Sequence, residues 1–299
     1  MKIGFLACPA TMPSTGGERR GDAFEHDLQV AALRPALEAR GGSLTEIDWH
    51  SPLEDFAAFD LVLLGTVWDY QDHADAFVAK IDAIEKAGTI VCNSPNLVRW
   101  NIDKAYLKDL AAQGAQTIPT KWAANAGRAD IVSALKFFGS DKVVVKLRVG
   151  GGAIGQEIFS KADLPAADWR MGAPALIQPF LPTIQQEGEL SFVFIDGAFS
   201  HAIQKTPASG EYRIQSLYGG KETPITPSDA DIACALTIMQ ALPGDPPLYA
   251  RIDMLRADAE GADGSLLLME AEVIEPFLYP MQGPDLGDRI AEAIVARLR

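Results

Sequence analysis

Hydrophobic residues in the first third of the chain follow two different spacings. Apolar runs such as Lys2–Ala7 and Leu61–Gly65 have the length of buried strands, whereas His26–Arg40 repeats its apolar residues at helical spacing. Strands that alternate with helices favour an open parallel sheet, and functional residues then gather in loops at the carboxyl ends of the strands. Asp69, in the loop that follows Leu61–Gly65, is therefore a candidate for substrate contact.

The pattern changes near residue 100. The next stretch predicts a compact unit with helices at 104–113 and 129–138 and strands at 118–121, 142–146 and 156–159. Later strands are predicted at 175–180, 190–195, 198–204, 212–217, 248–255 and 266–273, with helices at 228–242 and 286–298. The expected class is α/β, with α+β character in the C-terminal half. The expected domains are 1–100 (N-terminal α/β), 101–180 (central or lid) and 181–299 (C-terminal core).

The charge and composition of the chain argue against several classes of function. The 299 residues include 26 Lys and Arg against 40 Asp and Glu, a formal charge of −14, whereas proteins that bind nucleic acid or anionic membranes carry a basic surface. Three scattered cysteines and four histidines indicate neither a disulfide framework nor a Cys-rich zinc site. No apolar run reaches the roughly 20 residues of a spanning helix. We expect a cytoplasmic protein that binds a small molecule rather than nucleic acid or a membrane, and the sequence allows a homodimer.

A glycine-rich turn follows a buried strand. Gly150, Gly152 and Gly155 have the G-x-G-x-x-G spacing of dinucleotide-binding loops, but such loops open a helix, and residues 156–160 alternate like a strand. A turn between two strands suits a mobile flap whose backbone N–H groups, including those of Gly151 and Gly152, close over phosphates. A plain flexible hairpin is the structural alternative.

Two lysines lie where an anionic ligand would explain them. Lys146 ends the apolar strand Val143–Lys146, and an ammonium group buried without a partner is costly. An anion beside the glycine turn would satisfy it, as would a salt bridge to a nearby carboxylate. Lys104 opens a helix after Asn101 and, by itself, is typical of a solvated helix lysine.

The last two predicted strands carry a group of acids. Strand alternation places Arg251 with Asp253 on one face and Glu270 with Glu272 on one face. If the strands pair with Asp253 opposite Glu270, the same register sets Arg251 opposite Glu272. Three carboxylates would then share a single arginine, which destabilises a sheet and raises a carboxyl pKa. A divalent cation removes the conflict, and an all-oxygen site indicates Mg²⁺ or Mn²⁺; solvated acids at a strand end are the alternative.

A second predicted hairpin, 199–205 with 212–217, brings Lys205 and Arg213 together. Paired cations suit a transferring phosphoryl group or a substrate carboxylate, although a hairpin tip also carries ordinary surface charge. His201 lies on the same side of its strand as Lys205, where it is either structural or a substrate ligand.

Taken in chain order, these features resemble the ATP-grasp superfamily. The segments that carry the resemblance are Asn101-x-x-Lys104, Val145-Lys146 with the glycine flap, Gln178-Pro179-Phe180, Gly188-Glu189, Arg251-x-Asp253 and Glu270-x-Glu272. Within it, the chain is similar to the D-cycloserine synthetase branch, the O-ureido-D-serine cyclo-ligases, through Val67–Tyr70, Arg99–Lys104, Phe199–Ala202, Arg213-x-Gln215 and Glu275-Pro276. Two positions depart from the common pattern, since Leu147 replaces a proline and Glu272 an asparagine.

The resemblance implies an ATP-grasp fold with an N-terminal parallel α/β domain, a small lid domain with a glycine flap, and a C-terminal mixed β core, with ATP between lid and core. It also implies roles for individual residues in binding ATP: Lys104 and Lys146 would contact the phosphates, Gln178 and the backbone around Phe180 would bind adenine, and Glu187 or Glu189 would bind ribose. Asp253, Glu270 and Glu272 would bind Mg²⁺. Arg213 and Arg251 would contact the transferred group. The implied substrate residues are Asp69, His201 and Glu275, with Lys205 beside the arginines.

The implied function is an ATP-dependent ligase that acts on small amino-acid-like carboxylates. The carboxylate becomes an acyl phosphate, and a nitrogen nucleophile then displaces phosphate. The most specific form is an antibiotic-forming reaction, the cyclisation of O-ureido-D-serine to D-cycloserine with release of ADP and phosphate. Two alternatives stay open: an ATP-grasp ligase that joins an amino acid or peptide to a separate amine, and a non-catalytic ATP-binding regulator. A helix after Gly155 would instead favour NAD-dependent oxidoreduction.

Overall fold

The computed structural model of the protein describes residues 1–13, 18–257 and 264–299. Their strands form three sheets that follow one another along the chain, with four strands in the first, four in the second and five in the third. Residues 258–265, a stretch rich in turn-forming residues between the predicted strands 248–255 and 266–273, lie mostly outside the described residues. Within the described part of the chain, every helix is too short or too polar to cross a lipid bilayer.

The N-terminal sheet is parallel, as predicted, with the strand order β2-β1-β3-β4. Its strands are β1 Lys2–Ala7, β2 Ser43–Asp48, β3 Leu61–Thr66 and β4 Ile90–Cys92, and the helices of this part are α1 Phe24–Glu38, α2 Leu53–Phe56, α3 Ala74–Lys86, α4 Pro95–Asn101 and α5 Tyr106–Ala112. β3 is buried along its whole length, because strands of a parallel sheet are covered on both faces. The loop after β3 opens at the carboxyl edge, where Tyr70–Asp72 form a 3-10 helix.

The middle sheet carries the glycine turn. Its strands, in the order β5-β8-β6-β7, are β5 Lys121–Ala123, β6 Lys142–Leu147, β7 Glu157–Ser160 and β8 Ala175–Pro179, and α6 Arg128–Phe138 packs on them. Because an antiparallel strand rather than a helix follows Gly155, the dinucleotide-binding alternative is wrong. The strand predicted at 118–121 begins only at Lys121, because Ile118 hydrogen-bonds to Leu268 of the next sheet instead.

The C-terminal sheet has the order β11-β10-β9-β12-β13, and every neighbouring pair is antiparallel, so the expected mixed core is an antiparallel sheet with helices packed on it. Its elements are α7 Thr183–Gln186, β9 Glu189–Ile195, β10 Ala198–Thr206, β11 Lys221–Ile225, α8 Asp229–Gln240, β12 Tyr249–Arg256, β13 Leu266–Glu272 and α9 Leu286–Arg297. Leu97 of α4 and Leu107 of α5 pack in one core with Phe192 of β9. The loop between α4 and α5 is thereby fixed against this sheet.

The hairpin predicted from 199–205 and 212–217 has a different second strand. β10 pairs with β11, which sets Lys205 opposite Glu222. Residues 212–217 form a loop and the start of a 3-10 helix. The alternation that suggested a strand reflects the burial of Ile214, which belongs to an apolar cluster beneath this loop and needs no strand to be buried.

Candidate active site

A cleft of about 260 Å³ opens where the three sheets meet. The loop after β3 and the start of α1 line one side, the middle sheet with its glycine turn lines a second, and the C-terminal sheet lines the third. Most of the predicted site residues line this cleft, namely Lys104, Lys146, Gly151, Gly152, Gln178, Phe180, Glu189, Lys205, Arg213, Arg251, Asp253, Glu270, Glu272 and Glu275. The fold therefore brings together charged residues from distant parts of the chain.

The predicted pairing of the two acidic strands is confirmed. In the β12–β13 ladder, Asp253 lies opposite Glu270 and Arg251 lies opposite Glu272, and a bulge follows Asp253. All four side chains line the cleft, so their charges crowd one face of the sheet. Burial, and then the negative charges of Asp253 and Glu270, raise the pKa of Glu272 well above its usual range. This crowding favours a cation at the cleft.

Asp253 is bound from several sides. It is 2% exposed, Arg251 Nη2 lies 2.9 Å from its Oδ2, and Ser191 Oγ donates to its Oδ1 at 2.5 Å. Lys205 Nζ lies 3.5 Å from the same Oδ1. Burial alone would raise the pKa of Asp253, but the charges of Arg251 and Lys205 hold it below the usual range. Asp253 is therefore ionised and fixed by partners within this chain.

Lys205 and Glu189 are cross-strand partners on β10 and β9, and they form a buried ion pair. Burial and the charge of Asp253 raise the pKa of Glu189 to about 7. Among the described residues, nothing hydrogen-bonds to Glu189 Oε2. Arg213, which was expected to pair with Lys205 in function, lies in the same cleft but bonds Glu211, with Nη2 and Oε2 2.6 Å apart.

Lys104 links the acids to the glycine turn. Its Nζ lies 2.8 Å from Glu270 Oε1 and also donates to the carbonyl oxygen of Gly150. Its backbone N–H donates to the carbonyl oxygen of Arg148 at 2.9 Å, which fixes the start of α5 beside β6. Lys104 is thus not a solvated helix lysine, because it is 8% exposed and faces the cleft.

Lys146 has no such partner. Within the described part of the chain, its ammonium makes no hydrogen bond and no ion pair. Burial lowers the pKa of Lys146, although the charge of Glu270 acts in the opposite direction. The salt bridge that was the alternative explanation of this lysine is therefore not formed, and an anion in the cleft would satisfy it.

Comparisons with known proteins agree with this geometry. The family described as D-cycloserine synthetase DcsG, N-terminal domain, matches residues 3–93. A cycloserine biosynthesis protein of Streptomyces lavendulae is 28% identical over 290 residues, which cover 91% of this chain and 95% of that protein. The crystal structure of D-cycloserine synthetase covers 100% of both chains, with a TM-score of 0.84 at 24% identity.

A second solved structure is that of the ATP-grasp ligase PsnB in complex with a phosphomimetic variant of its minimal precursor, Mg and ADP. It covers 99% of this chain and 98% of its own, with a TM-score of 0.65 at 19% identity. This chain therefore has the ATP-grasp fold. The predicted ATP-grasp fold is thereby confirmed, whereas the predicted domain boundaries and the roles of individual residues stay predictions.

The acids of this ATP-grasp cleft suit a metal ion that is shared with a ligand. Among the described residues, no three His, Cys, Asp or Glu side chains come close enough to hold an ion by themselves. Mg²⁺ is usually bound by one or two carboxylates together with waters and substrate phosphates. Glu270 and Glu272 line the cleft from one strand and suit that mode. Asp253 is already bonded to Arg251, so direct metal binding by Asp253 stays a prediction.

One wall of the ATP-grasp cleft is apolar. The residues that share this wall belong to a single cluster and line the cleft: Ile118, Phe180, Leu181, Ile184, Ile214, Leu255 and Met269. Gln178 lies beside them on β8, and its Nε2 donates to Thr120 Oγ1 at 3.0 Å, which orients the amide. An apolar slot edged by an oriented amide suits a flat heteroaromatic ring. The expected adenine contacts of Gln178 and Phe180 are compatible with this arrangement.

Of the two residues predicted to bind ribose, Glu189 lines the cleft and Glu187 does not. Glu187 instead forms an ion pair with Arg256, whose Nε lies 2.9 Å from its Oε1. Arg256 also pairs with Asp231 of α8 at 3.0 Å. Glu187 therefore serves to join this turn to the C-terminal core.

Two residues predicted to contact substrate also lie outside the cleft lining. Asp69 accepts a hydrogen bond from Trp49 Nε1 at 2.6 Å and lies 2.9 Å from His50 Nε2, so it orders the loop after β3. His201 Nε2 lies 3.0 Å from the carbonyl oxygen of Leu278, which fits the structural alternative for this histidine. In both cases the polar side chain is already hydrogen-bonded to a partner within the chain.

Several residues that line the cleft were not predicted. Glu25 of α1 accepts a hydrogen bond from Ser216 Oγ at 2.9 Å, and burial together with the charge of Glu222 raises the pKa of Glu25 to about 7. Tyr70 and Gln71 enter from the loop after β3. Tyr70 carried a signal, since it lies in the segment Val67–Tyr70, which follows a predicted strand and carries part of the resemblance. Glu25 carried none, because an acid on an amphipathic helix is ordinarily solvated.

Proposed function

We propose that this protein is an ATP-dependent ligase that activates a substrate carboxylate as an acyl phosphate and then joins it to a nitrogen. The observation that carries the proposal is the ammonium of Lys146, which has no partner among the described residues and lies in a cleft that also presents Lys104 and the acids Glu270 and Glu272. A nucleoside triphosphate would suit both the lysines and the acids, because its phosphates would pair with the lysines and share a Mg²⁺ ion with the carboxylates.

Each part of the nucleotide has a suitable wall. Lys104, Lys146 and the backbone of the glycine turn lie where the phosphates would be held. Gln178 and Phe180 border the apolar slot that suits adenine. Glu189, through its unpaired Oε2, is the remaining candidate for the ribose hydroxyls.

The chemistry requires alignment and neutralisation of charge. A carboxylate oxygen of the substrate attacks the γ-phosphorus, the bond from that phosphorus to the bridging oxygen breaks, and ADP leaves. The nitrogen then adds to the acyl carbon and loses a proton as phosphate departs. Lys146, Lys104 and Arg213 supply positive charge on the cleft wall, and a bound Mg²⁺ would neutralise further charge on the phosphoryl group. No covalent protein nucleophile is needed.

The most specific form of the proposal is the cyclisation of O-ureido-D-serine to D-cycloserine. It is supported by the whole-length similarity to a cycloserine biosynthesis protein and by the family match over residues 3–93. In that reaction the nucleophile is the ureido-bearing nitrogen of the substrate itself, and with or after ring closure the bond from this nitrogen to the carbamoyl carbon is hydrolysed by water, which releases carbon dioxide and ammonia. A cytoplasmic enzyme with a small amino-acid-like substrate follows from the same proposal.

An ADP-release screen tests both levels. The purified protein is incubated with ATP, Mg²⁺ and O-ureido-D-serine, its L isomer or unmodified serine, each with and without an added amine. ADP release and a cyclic product with the D isomer, without the amine, is the expected result. Release that depends on the added amine would instead support a carboxylate–amine ligase. Tight ATP binding without turnover of any carboxylate would overturn the ligase and favour a regulator.

A further inference from the structure

Gln71 connects the N-terminal sheet to the glycine flap, defined here as residues 150–155. Its side-chain Oε1 accepts a hydrogen bond of 2.8 Å from the backbone N–H of Gly151, and both residues line the cleft. Gln71 lies in the 3-10 helix after β3 of the N-terminal sheet, whereas Gly151 lies in the turn after β6 of the middle sheet, and these two sheets share no strand. The contact therefore ties the flap to a part of the protein outside its own sheet.

The close approach depends on glycine. A Cβ atom built on Gly151 would lie 2.5 Å from Gln71 Nε2, and side-chain atoms do not approach one another so closely. The amide of Gln71 thus lies directly against the flap backbone, and this contact specifies one position of the flap.

The support beneath Gln71 is well packed. The preceding residue, Tyr70, is 7% exposed and its ring lies 5.2 Å from that of Phe77, centroid to centroid. The backbone N–H of Tyr70 donates to the carbonyl oxygen of Val67 at 2.9 Å, and Tyr70 lines the cleft together with Glu275. Gln71 therefore belongs to a well-packed element that itself lines the cleft.

A second contact acts on the adjacent flap residue, since Lys104 Nζ donates to the carbonyl oxygen of Gly150. Lys104 also pairs with Glu270, and under the proposed function its ammonium is drawn to the phosphates of the nucleotide. The neutral amide of Gln71 has no comparable attraction to phosphate. The Gln71 contact is thus the one expected to persist when nucleotide binds.

We propose that Gln71 is a positioning residue that holds the glycine flap closed over the nucleotide end of the cleft. Through it, the loop after β3 restrains the flap over the end of the cleft that presents Lys104 and Lys146. The effect on ATP rests on the proposed function, whereas the effect on the flap does not.

Hydrogen exchange of the flap amides, measured on the full protein without nucleotide, tests the contact. Gln71→Ala should speed exchange across residues 150–155 by about 3- to 10-fold, the range that one net hydrogen bond supports. Gln71→Glu keeps an acceptor and should retain wild-type protection. Asp72→Ala is the matched control, since Asp72 is an exposed neighbour that does not line the cleft. Equal flap exchange in wild type and Gln71→Ala would overturn the proposal.

Kinetics tests the consequence for ATP. Gln71→Ala should raise the KM for ATP by about the same 3- to 10-fold and leave the KM for the carboxylate substrate unchanged. An unchanged KM for ATP, with flap exchange accelerated, would refute the positioning role. If the wild-type protein fails to bind ATP in an equilibrium titration, the proposed function fails instead, and the exchange experiment still decides whether Gln71 holds the flap.

Discussion

Arg251 and Glu272 are cross-strand partners on β12 and β13, and Arg251 Nη2 lies 2.5 Å from Glu272 Oε1. The same guanidinium bonds Asp253 at 2.9 Å and donates to the carbonyl oxygen of Phe277 at 3.0 Å. Arg251 therefore forms ion pairs with two of the three acids, and the third acid, Glu270, pairs with Lys104. Because each acid has a cationic partner, the repulsion among these neighbouring carboxylates is partly offset within the chain.

Replacement of Arg251 by leucine should destabilise the protein by about 3 kcal/mol. Asp253 would then be buried with only the more distant Lys205 as a cation, and removal of one partner from a buried pair leaves an uncompensated charge. Urea unfolding at pH 7 measures the change. Arg256→Leu is the control, because the ion pairs of Arg256 are partly exposed and should cost only about 1 kcal/mol. Equal losses for the two variants would contradict the assignment.

Glu270→Gln should reduce ADP formation by at least about 100-fold while the fold stays intact. The amide is a poorer ligand for Mg²⁺ and no longer carries the charge that pairs with Lys104. A coupled assay of ADP release, repeated over a range of Mg²⁺ concentrations, measures the loss.

The control for that experiment is Glu85→Gln, which removes the charge of an exposed acid at the end of α3. Its ADP release and its circular dichroism spectrum should match wild type. Wild-type turnover by Glu270→Gln would remove this residue from the metal site.

The pairing of Arg251 with Glu272 could be derived from a supposed register of the acidic strands, because strand pairing is a short-range rule. Once Asp253 is placed opposite Glu270, the alternation of side chains fixes Arg251 opposite Glu272. The glycine turn was predictable for a similar reason, since residues 156–160 alternate and the structure has a strand there. Local spacing thus specified the parts of the site that lie on adjacent strands.

Other parts of the fold and of the cleft depend on tertiary packing or were missed in the sequence. Pro224 would argue against a strand at 221–225, yet β11 is at the edge of its sheet, where a missing N–H is tolerated. The helix α4 went unpredicted although Ser94 caps it and Pro95 opens it, which is a recognisable signal. Glu25 has no such signal, because its place in the cleft depends on contact with Ser216 far along the chain.

Lys146→Met should weaken ATP binding by about 10-fold or more, because the loss of a buried charge–phosphate contact is worth at least about 1.4 kcal/mol. The free energy of unfolding of the unliganded protein should not fall, since the half-buried ammonium makes no ion pair in the described residues and its partial burial disfavours the charged form. Calorimetric titration and urea unfolding measure the two quantities.

Lys86→Met serves as the control, since Lys86 is an exposed residue in the last turn of α3. Its ATP affinity and stability should both match wild type. A large loss of stability in Lys146→Met, with ATP affinity unchanged, would make Lys146 a structural residue.

Glu25→Gln should stabilise the unliganded protein at pH 8 but not at pH 5. The pKa of Glu25 is raised from 4.5 to about 7 by burial and by Glu222, so between these values the folded protein binds more protons than the unfolded chain. Stability contributed by the protonated carboxyl is present at low pH and is lost as the pH rises toward 7. The neutral amide keeps an acceptor for Ser216 and removes this loss, which gives a gain of about 1–3 kcal/mol at pH 8.

Urea unfolding of wild type and variant at several pH values measures the difference. A difference that does not change between pH 5 and pH 8 would show that Glu25 is ionised in the fold at its ordinary pKa.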